Sequence, residues 1–300
     1  MEYHRPVMLQ ECIDALAIKP DGIYVDVTFG GGGHSALIAS KLTTGKLYSF
    51  DQDRDAQEQS KKIENPAFTF VRANFRDLKK YLRLYRVKEV DGILADLGVS
   101  SHQFNVAERG FSTRFDGPLD MRMDPEAGTP ASEIVNTYSQ EQLHRLFGIY
   151  GEVKNAKTLA SVIVAQRARK PIETIGDFKQ AISSCTPRGK ENKYLAQVFQ
   201  ALRIEVNDEM KALEEMLEQA AEMLKPGGRL VVMSYHSLED RLVKNFIAKG
   251  KFFGEVEKDL FGNEIKPLEA VSRKPIVPSE QELLENSRSR SAKLRIAEKK

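Results

Sequence analysis

Residues 23–34 read Ile-Tyr-Val-Asp-Val-Thr-Phe-Gly-Gly-Gly-Gly-His. The β-branched and aromatic run from Ile23 to Thr28 has the composition of a buried strand. Four glycines follow, and a helical pattern begins at His34 and Ser35, with Leu37, Ile38 and Leu42 apolar. Strand, glycine turn and helix form the unit that lets a backbone approach a nucleotide-like ligand. Glycine suits such a turn because a Cβ would stand where the ligand lies, and because the turn draws on positive φ. Lys46-Leu-Tyr-Ser-Phe-Asp51 reads as a second strand, ending in an acid 21 residues after Gly30. An acid at that distance, on the tip of the second strand, is placed to accept hydrogen bonds from ribose hydroxyls. The plainer alternative is a surface acid in a turn. Strand, glycines and acid together point to a dinucleotide or S-adenosylmethionine (AdoMet) site. The run departs from G-x-G-x-x-G, and no G-x-x-x-x-G-K-[ST] is present, which argues against a P-loop nucleotidase.

The flanking sequence repeats the unit. Leu9, Cys12, Ile13 and Leu16 form a helical stripe within residues 7–18. Arg54 to Ile63 reads as a helix, Phe68 to Arg72 as a third strand, and Phe75 to Tyr85 as a helix. Val90-Asp-Gly-Ile-Leu-Ala-Asp96 is a fourth strand, apolar until it ends in an acid. Strand and helix in alternation predict a parallel sheet covered on both faces. Residues 97–135, with Gly98, Gly110, Gly117, Pro118, Pro125, Gly128 and Pro130, are too irregular for a βα unit. Residues 139–199 then read as four helices without a strand. The α/β pattern resumes with Asn207 as a cap for a long helix that ends at Lys225-Pro-Gly-Gly228. Arg229 to Ser234 is a fifth strand, Leu238 to Ala248 a helix, and Glu255 to Ile265 a hairpin or loop around Gly262-Asn263. Ala292 to Glu298 alternates apolar and charged residues, as an antiparallel strand with one wet face does. The expected organisation is an α/β domain of residues 1–107 and 201–300, interrupted by a helical domain of 108–200.

Bulk properties narrow the class. The chain has 300 residues, 41% hydrophobic and 29% charged, with a net charge of +2. No apolar run approaches the roughly 20 residues that span a bilayer, and the N-terminus lacks a signal-peptide core. Cys12 and Cys185 are the only cysteines, which fits a reducing cytoplasm. His4, His34, His102, His144 and His236 share no metal-ligand spacing with one another or with the cysteines, so no metal is expected. Basic residues gather at 166–193 and 286–300. Each cluster is either a solvated face or a footprint for a phosphate backbone.

Carboxyl ends of parallel strands border the ligand crevice of such sheets. Asp96, Ser100 and Ser101 are therefore candidates for contact with a ligand or a reacting group, the alternative being a turn that bonds its own backbone. Asp116, Asp120 and Asp124 recur at four-residue intervals, as a cation site or, better suited to the interrupting proline and glycine, a polar cleft wall. His236 in Ser234-Tyr-His-Ser237 either hydrogen-bonds a base or caps the next helix.

Five motifs taken together resemble one family. They are Asp26-Val-Thr-Phe-Gly-Gly-Gly-Gly-His34-Ser, Asp96-Leu-Gly-Val-Ser-Ser, Glu108-Arg-Gly-Phe-Ser, Asp116-Gly-Pro-Leu-Asp-Met-Arg-Met-Asp124 and Ser234-Tyr-His-Ser-Leu-Glu-Asp-Arg241. They are similar to the bacterial small-subunit (16S) ribosomal RNA cytosine-N4-methyltransferases (RsmH/MraW), from His4-Arg-Pro-Val-Met-Leu to the basic C-terminus. The resemblance implies a class I AdoMet-dependent methyltransferase: Rossmann-like, mostly parallel with an antiparallel C-terminal strand, and carrying an inserted helical domain for substrate recognition. It implies AdoMet at Gly32, Gly33, His34, Asp51, Phe75, Asp96 and Gln103, with Asp51 on the ribose and Phe75 near the adenine. It implies a cytidine of the 16S rRNA decoding region as substrate, within the small ribosomal subunit, and suggests a homodimer; Ser100, Ser101 and His236, placed at strand ends, are the candidates to contact a base splayed out of single-stranded RNA. Many amino-methylating enzymes follow the fourth-strand acid, Asn or Ser with Pro-Pro and an aromatic. Leu97-Gly-Val stands there instead, so the base-stacking role must be filled elsewhere, or differently. Asp96, or a serine or carbonyl of 97–101, is the candidate acceptor for the amino group.

Other classes remain open on residues alone. A nicotinamide dehydrogenase uses the same turn and acid but predicts no basic insertion. A non-catalytic RNA-binding protein accounts for the basic segments but not for the turn with Asp51. A methyltransferase of a protein or a small molecule is a further alternative.

Overall fold

The computed structural model describes residues 6–300, so His4 and Arg5 lie outside it. The chain forms two compact units: residues 1–98 with 210–300, and residues 99–209.

The first unit opens with α1 (Leu9–Leu16), β1 (Ile23–Asp26), α2 (Gly33–Ser40), β2 (Lys46–Asp51), α3 (Arg54–Ser60) and β3 (Phe68–Arg72). A 3₁₀ turn at Phe75–Asp77 leads into α4 (Leu78–Leu84), and β4 (Val90–Asp96) follows. The spatial order is β3, β2, β1, β4, then the strands that return after the second unit, with β1 to β4 mutually parallel. Side chains alternate along each strand, so the sheet carries two cores. Val25, Ile93, Ala95, Leu230 and Val232 face one way; Tyr24, Leu94, Val231 and Met233 face the other. Burial on both faces is why these strands are apolar throughout instead of alternating.

The second unit holds no strand among its described residues. It comprises α5 (Ser101–Asn105), α6 (Ala131–Thr137), α7 (Gln140–Ile149), α8 (Ala156–Arg167), α9 (Ile175–Ala181) and α10 (Glu191–Val206). Its own core draws Ile134, Leu143, Phe147, Leu159, Ile163, Phe178 and Leu202 from five of those helices. The unit starts nine residues before, and ends nine after, the segment 108–200 marked by composition. α5 belongs to it because Phe104 packs on its core. α10 runs unbroken to Val206 because Ala201 and Leu202 still face that core. Asn207 does not cap the following helix. It closes α10, its Nδ2 donating to Arg203 O and Met121 O and its Oδ1 accepting from Met123 N at 2.8 Å.

The first unit resumes with α11 (Glu209–Met223), β5 (Leu224–Ser234), α12 (Ser237–Lys249), β6 (Leu268–Ala270), α13 (Glu280–Glu285) and β7 (Lys293–Lys299). β5 starts five residues before the expected Arg229, since Leu224 already pairs with Val90. Lys225–Gly228 form an irregularity in the ladder before Arg229 pairs with Gly92, anchored by Lys225 Nζ on Asp91 Oδ2 at 2.8 Å. β7 runs antiparallel between β5 and β6 and completes a seven-stranded sheet. The fold class is the one expected: α/β, mostly parallel, with an antiparallel C-terminal strand. β6 is too short for its three residues to show a period.

Candidate active site

The tips of β1, β2 and β4 meet around the glycine turn. Asp26, at the end of β1, is wholly buried. It accepts hydrogen bonds from Thr28 N at 3.0 Å and from Ser35 Oγ at 2.6 Å, and Ser35 Oγ lies 2.7 Å from Ser49 Oγ on β2. A buried carboxylate thereby ties the strand, the turn and the first residues of α2 together. Burial pushes its pKa up, against the donors that favour the anion.

The four glycines answer different demands. Gly30 and Gly32 have positive φ, +53° and +81°. A Cβ on Gly32 would also stand 2.6 Å from the Phe29 ring, and one on Gly33 would stand 2.2 Å from Pro6 Cγ. Those two glycines are required by the protein's own packing. At Gly31 a Cβ would meet nothing within 4 Å, so the turn is open there.

Asp51 sits across this turn. Its Oδ2 accepts from Gly30 N and its Oδ1 from Asp53 N, both at 2.9 Å. Each oxygen keeps a lone pair for a further donor. Burial raises its pKa to about 6, although both N–H donors pull it down. Phe75 lies half-buried in the 3₁₀ turn beyond β3, packed on the first core.

Asp96 ends β4. Its backbone N–H donates to Thr28 Oγ1 at 2.6 Å, and its Oδ1 accepts from the Tyr235 hydroxyl at 2.7 Å. Its Oδ2 lies 3.9 Å from His34 Nδ1. Burial lifts its pKa to about 6, opposed by His34 and Tyr235. Burial also pushes the His34 pKa below its ordinary value, against the pull of Asp96. Its Nε2 is buried without a hydrogen-bond partner among the described residues. A buried nitrogen left unpaired is costly, and it marks a place for a polar ligand group.

His236 takes the helix-capping alternative. Its Nδ1 accepts from Glu239 N at 3.4 Å, its Nε2 lies 3.1 Å from Glu239 Oε1, and Glu239 Oε2 accepts from Tyr235 N at 2.8 Å. Nδ1 is thus spent on the cap, while Nε2, though near Glu239 Oε1, is buried without a hydrogen-bond partner among the described residues. The motif draws attention to its histidine, but the side chain that reaches Asp96 is the preceding tyrosine. The available signal was position: Tyr235 is the first residue beyond β5, at a carboxyl end.

Ser100, Ser101 and Gln103 belong to the second unit. Ser100 caps α5: its Oγ accepts from Gln103 N at 3.1 Å, and Gln103 Oε1 accepts from Ser100 N at 3.0 Å. Ser101 is the first residue of the helix and is half-buried. The three spaced acids do not converge on a cation. Asp116 Oδ1 accepts from Gly117 N and Gly176 N, Asp120 pairs with Arg122, and Asp124 Oδ1 accepts from Glu126 N. Arg109 binds this loop together, its Nη2 donating to Arg122 O and Met123 O. Gly110, at φ +75°, is forced by Pro118 O, which a Cβ would approach to 2.6 Å. Of the basic residues at 166–193, Arg167 serves the backbone carbonyls of Val135 and Tyr138, Lys170 pairs with Asp177, and Lys179 reaches Thr113 O. Arg169, Arg188, Lys190 and Lys193 are exposed.

These features suit an adenosyl ligand: an acid with free lone pairs for a ribose diol, an open turn at Gly31, and an unpaired buried nitrogen at His34. The model of the MraW methylase family matches residues 1–300. The ribosomal RNA small subunit methyltransferase H of Cytophaga hutchinsonii is 57% identical over 297 residues, covering 99% of both chains. The like-named protein of Parabacteroides distasonis is 59% identical over 299 residues, 99% of this chain and 97% of its own. That of Amoebophilus asiaticus is 55% identical over 297 residues, 99% and 96%. A match from the first residue to the last, with identity above one half along nearly all of it, removes the nicotinamide alternative. The chain belongs to the MraW methylase family and is an AdoMet-dependent methyltransferase.

Proposed function

We propose that this enzyme methylates the exocyclic N4 of a cytidine in the decoding region of 16S ribosomal RNA, within the small subunit. The observation that carries the chemistry is Asp96, a carboxylate at the tip of β4 with a pKa raised to about 6 and one oxygen, Oδ2, that accepts no hydrogen bond among the described residues. The names of relatives at 55–59% identity support the RNA.

AdoMet supplies a methyl already activated on a sulfonium, so no metal is called for. The cytosine amino group is a poor nucleophile because its lone pair is delocalised into the ring. Asp51 binds the ribose hydroxyls, Gly32, Gly33 and His34 line the turn, and Phe75 stands by the adenine. Asp96 accepts a hydrogen bond from the amino group, which favours its pyramidal form. As the new N–C bond forms and the C–S bond breaks toward sulfur, Asp96 takes the proton that nitrogen sheds. Alignment of nitrogen, carbon and sulfur contributes several kcal/mol. The helical unit grips the flanking backbone through Arg188, Lys190 and Lys193, while the target base is splayed out of the strand.

The test is mass spectrometry of ribosomal RNA from cells lacking the protein. The expected result is loss of one cytosine N4-methyl in 16S RNA, restored by the wild-type chain and not by Asp96→Asn. An unchanged 16S methylation pattern rejects the proposal.

A further inference from the structure

We propose that Tyr235 is a positioning residue for methyl transfer: its hydroxyl holds Oδ1 of Asp96, so that Oδ2 alone is presented to the substrate amino group. The inference rests on Asp96 being the acceptor. A carboxylate at the end of a strand is free to turn about its Cα–Cβ and Cβ–Cγ bonds, and an acceptor that turns spends little time in line with a planar amine. Here it is held at two points. The backbone is tied by the Asp96 N–H on Thr28 Oγ1 at 2.6 Å, and the side chain by Tyr235 on Oδ1 at 2.7 Å.

Tyr235 is held in turn. Its N–H donates to Glu239 Oε2 at 2.8 Å, and Glu239 is 2% exposed in the first turn of α12. The chain of contacts therefore runs from a buried acid, through the tyrosine, to one oxygen of Asp96. The other oxygen is 3.9 Å from His34 Nδ1, too far for a hydrogen bond. Burial and the neighbouring Asp96 hold the tyrosine pKa well above its ordinary value, so it is a donor throughout the working range. The groups within this unit that face Asp96 are His34 on α2, Asp26 on β1, Cys12 on α1, and Tyr235 and Glu239 beyond β5. Of these, Tyr235 alone donates a hydrogen bond to the Asp96 carboxylate among the described residues.

Tyr235→Phe removes the hydroxyl and little else. Loss of a hydrogen bond to a charged group is expected to lower kcat about tenfold or more. AdoMet Kd by calorimetry and KM for small-subunit RNA are expected to stay within about twofold, which also reports a folded protein. The hydroxyl favours the anion, so its loss raises the pKa of Asp96 and moves the acid limb of kcat to higher pH. In an Asp96→Asn background the same substitution should cost nothing further. A Tyr235→Phe enzyme with normal kcat and an unmoved limb, beside a slow Asp96→Asn, overturns the positioning role and leaves Asp96 in place. Equal losses from Tyr235→Phe in both backgrounds overturn it too, because the tyrosine then acts independently. An Asp96→Asn enzyme as fast as wild type removes the acceptor, and the positioning role goes with it.

Discussion

Asp51 and Asp96 share a design: each ends a strand, each carboxylate accepts from the protein, and burial raises each pKa to about 6. The proposed tasks differ, Asp51 serving the ribose and Asp96 the amino group. Asp51 spends one lone pair of each oxygen on the glycine turn and Asp53, which leaves one on each for a further donor. Asp51→Ala is expected to weaken AdoMet binding by about 100-fold or more, since two charge-assisted hydrogen bonds are lost. Calorimetry reads this directly, and unchanged affinity would remove Asp51 from the ribose. The shared pKa also shapes the pH profile. Both groups act as anions, which they are above about pH 6; as pH falls through that value each gains a proton and ceases to accept. The kcat/KM for AdoMet should therefore fall on the acid side with a slope approaching two, and Asp96→Asn should reduce it to one. A flat profile down to pH 5 would contradict both assignments.

Elements set where those residues stand. β4 brings Asp96 to the same edge as the glycine turn only because β1 lies between β2 and β4, with Val25 opposite both Tyr48 and Ile93. In the second unit the end of α10 has a comparable duty. Asn207 satisfies Met121 O and Met123 N in the loop that Arg109 also holds, so helix and loop share one polar joint. Asn207→Ala removes the side-chain bonds to Met121 O and Met123 N, while Arg203 O keeps the bond from the residue-207 N–H. It is expected to destabilise the helical unit by about 2 kcal/mol, given roughly 1–3 kcal/mol for a buried group left unsatisfied. Denaturant unfolding with hydrogen exchange in α10 measures it; exchange at the wild-type rate would show the joint to be dispensable.

For the whole molecule, net charge is a poor guide to partners. A balance of +2 conceals where the unspent cations are. Much of the basic C-terminus is committed inside the first unit: Arg295 pairs with Asp240 at 2.7 Å, Lys299 reaches Ala221 O, and Lys300 meets Glu269. Arg188, Lys190 and Lys193, beside the N-terminus of α10, remain exposed. Reversing all three to Glu should weaken RNA binding and lower the slope of log affinity against log salt by about two, at roughly 0.7 per contact for single strands. AdoMet affinity should be untouched. Filter binding across a salt series checks it, and an unchanged slope would place the RNA elsewhere.

The sheet was legible because each strand is a continuous apolar run bracketed by glycine or an acid, a pattern that burial on both faces demands. The place of Asp51 at the tip of β2 was legible too, since it is a matter of spacing along one chain. The helical unit was legible as a change of period, though not its ends. α10 outruns its apolar signal because its last turn packs on residues scattered over earlier helices, and Asn207 serves a loop 84 residues away. His236 and Tyr235 mark the limit most clearly. Both follow β5, and nothing local says which one meets Asp96. That depends on β5 lying next to β4, which sets the Tyr235 hydroxyl against Asp96 across 139 residues, while His236 Nδ1 accepts from Glu239 N. Spacing along the chain determined the strand tips and the acids on them. Only the tertiary structure decided which donors those acids meet, because hydrogen bonds between elements depend on sheet order, which no local pattern encodes.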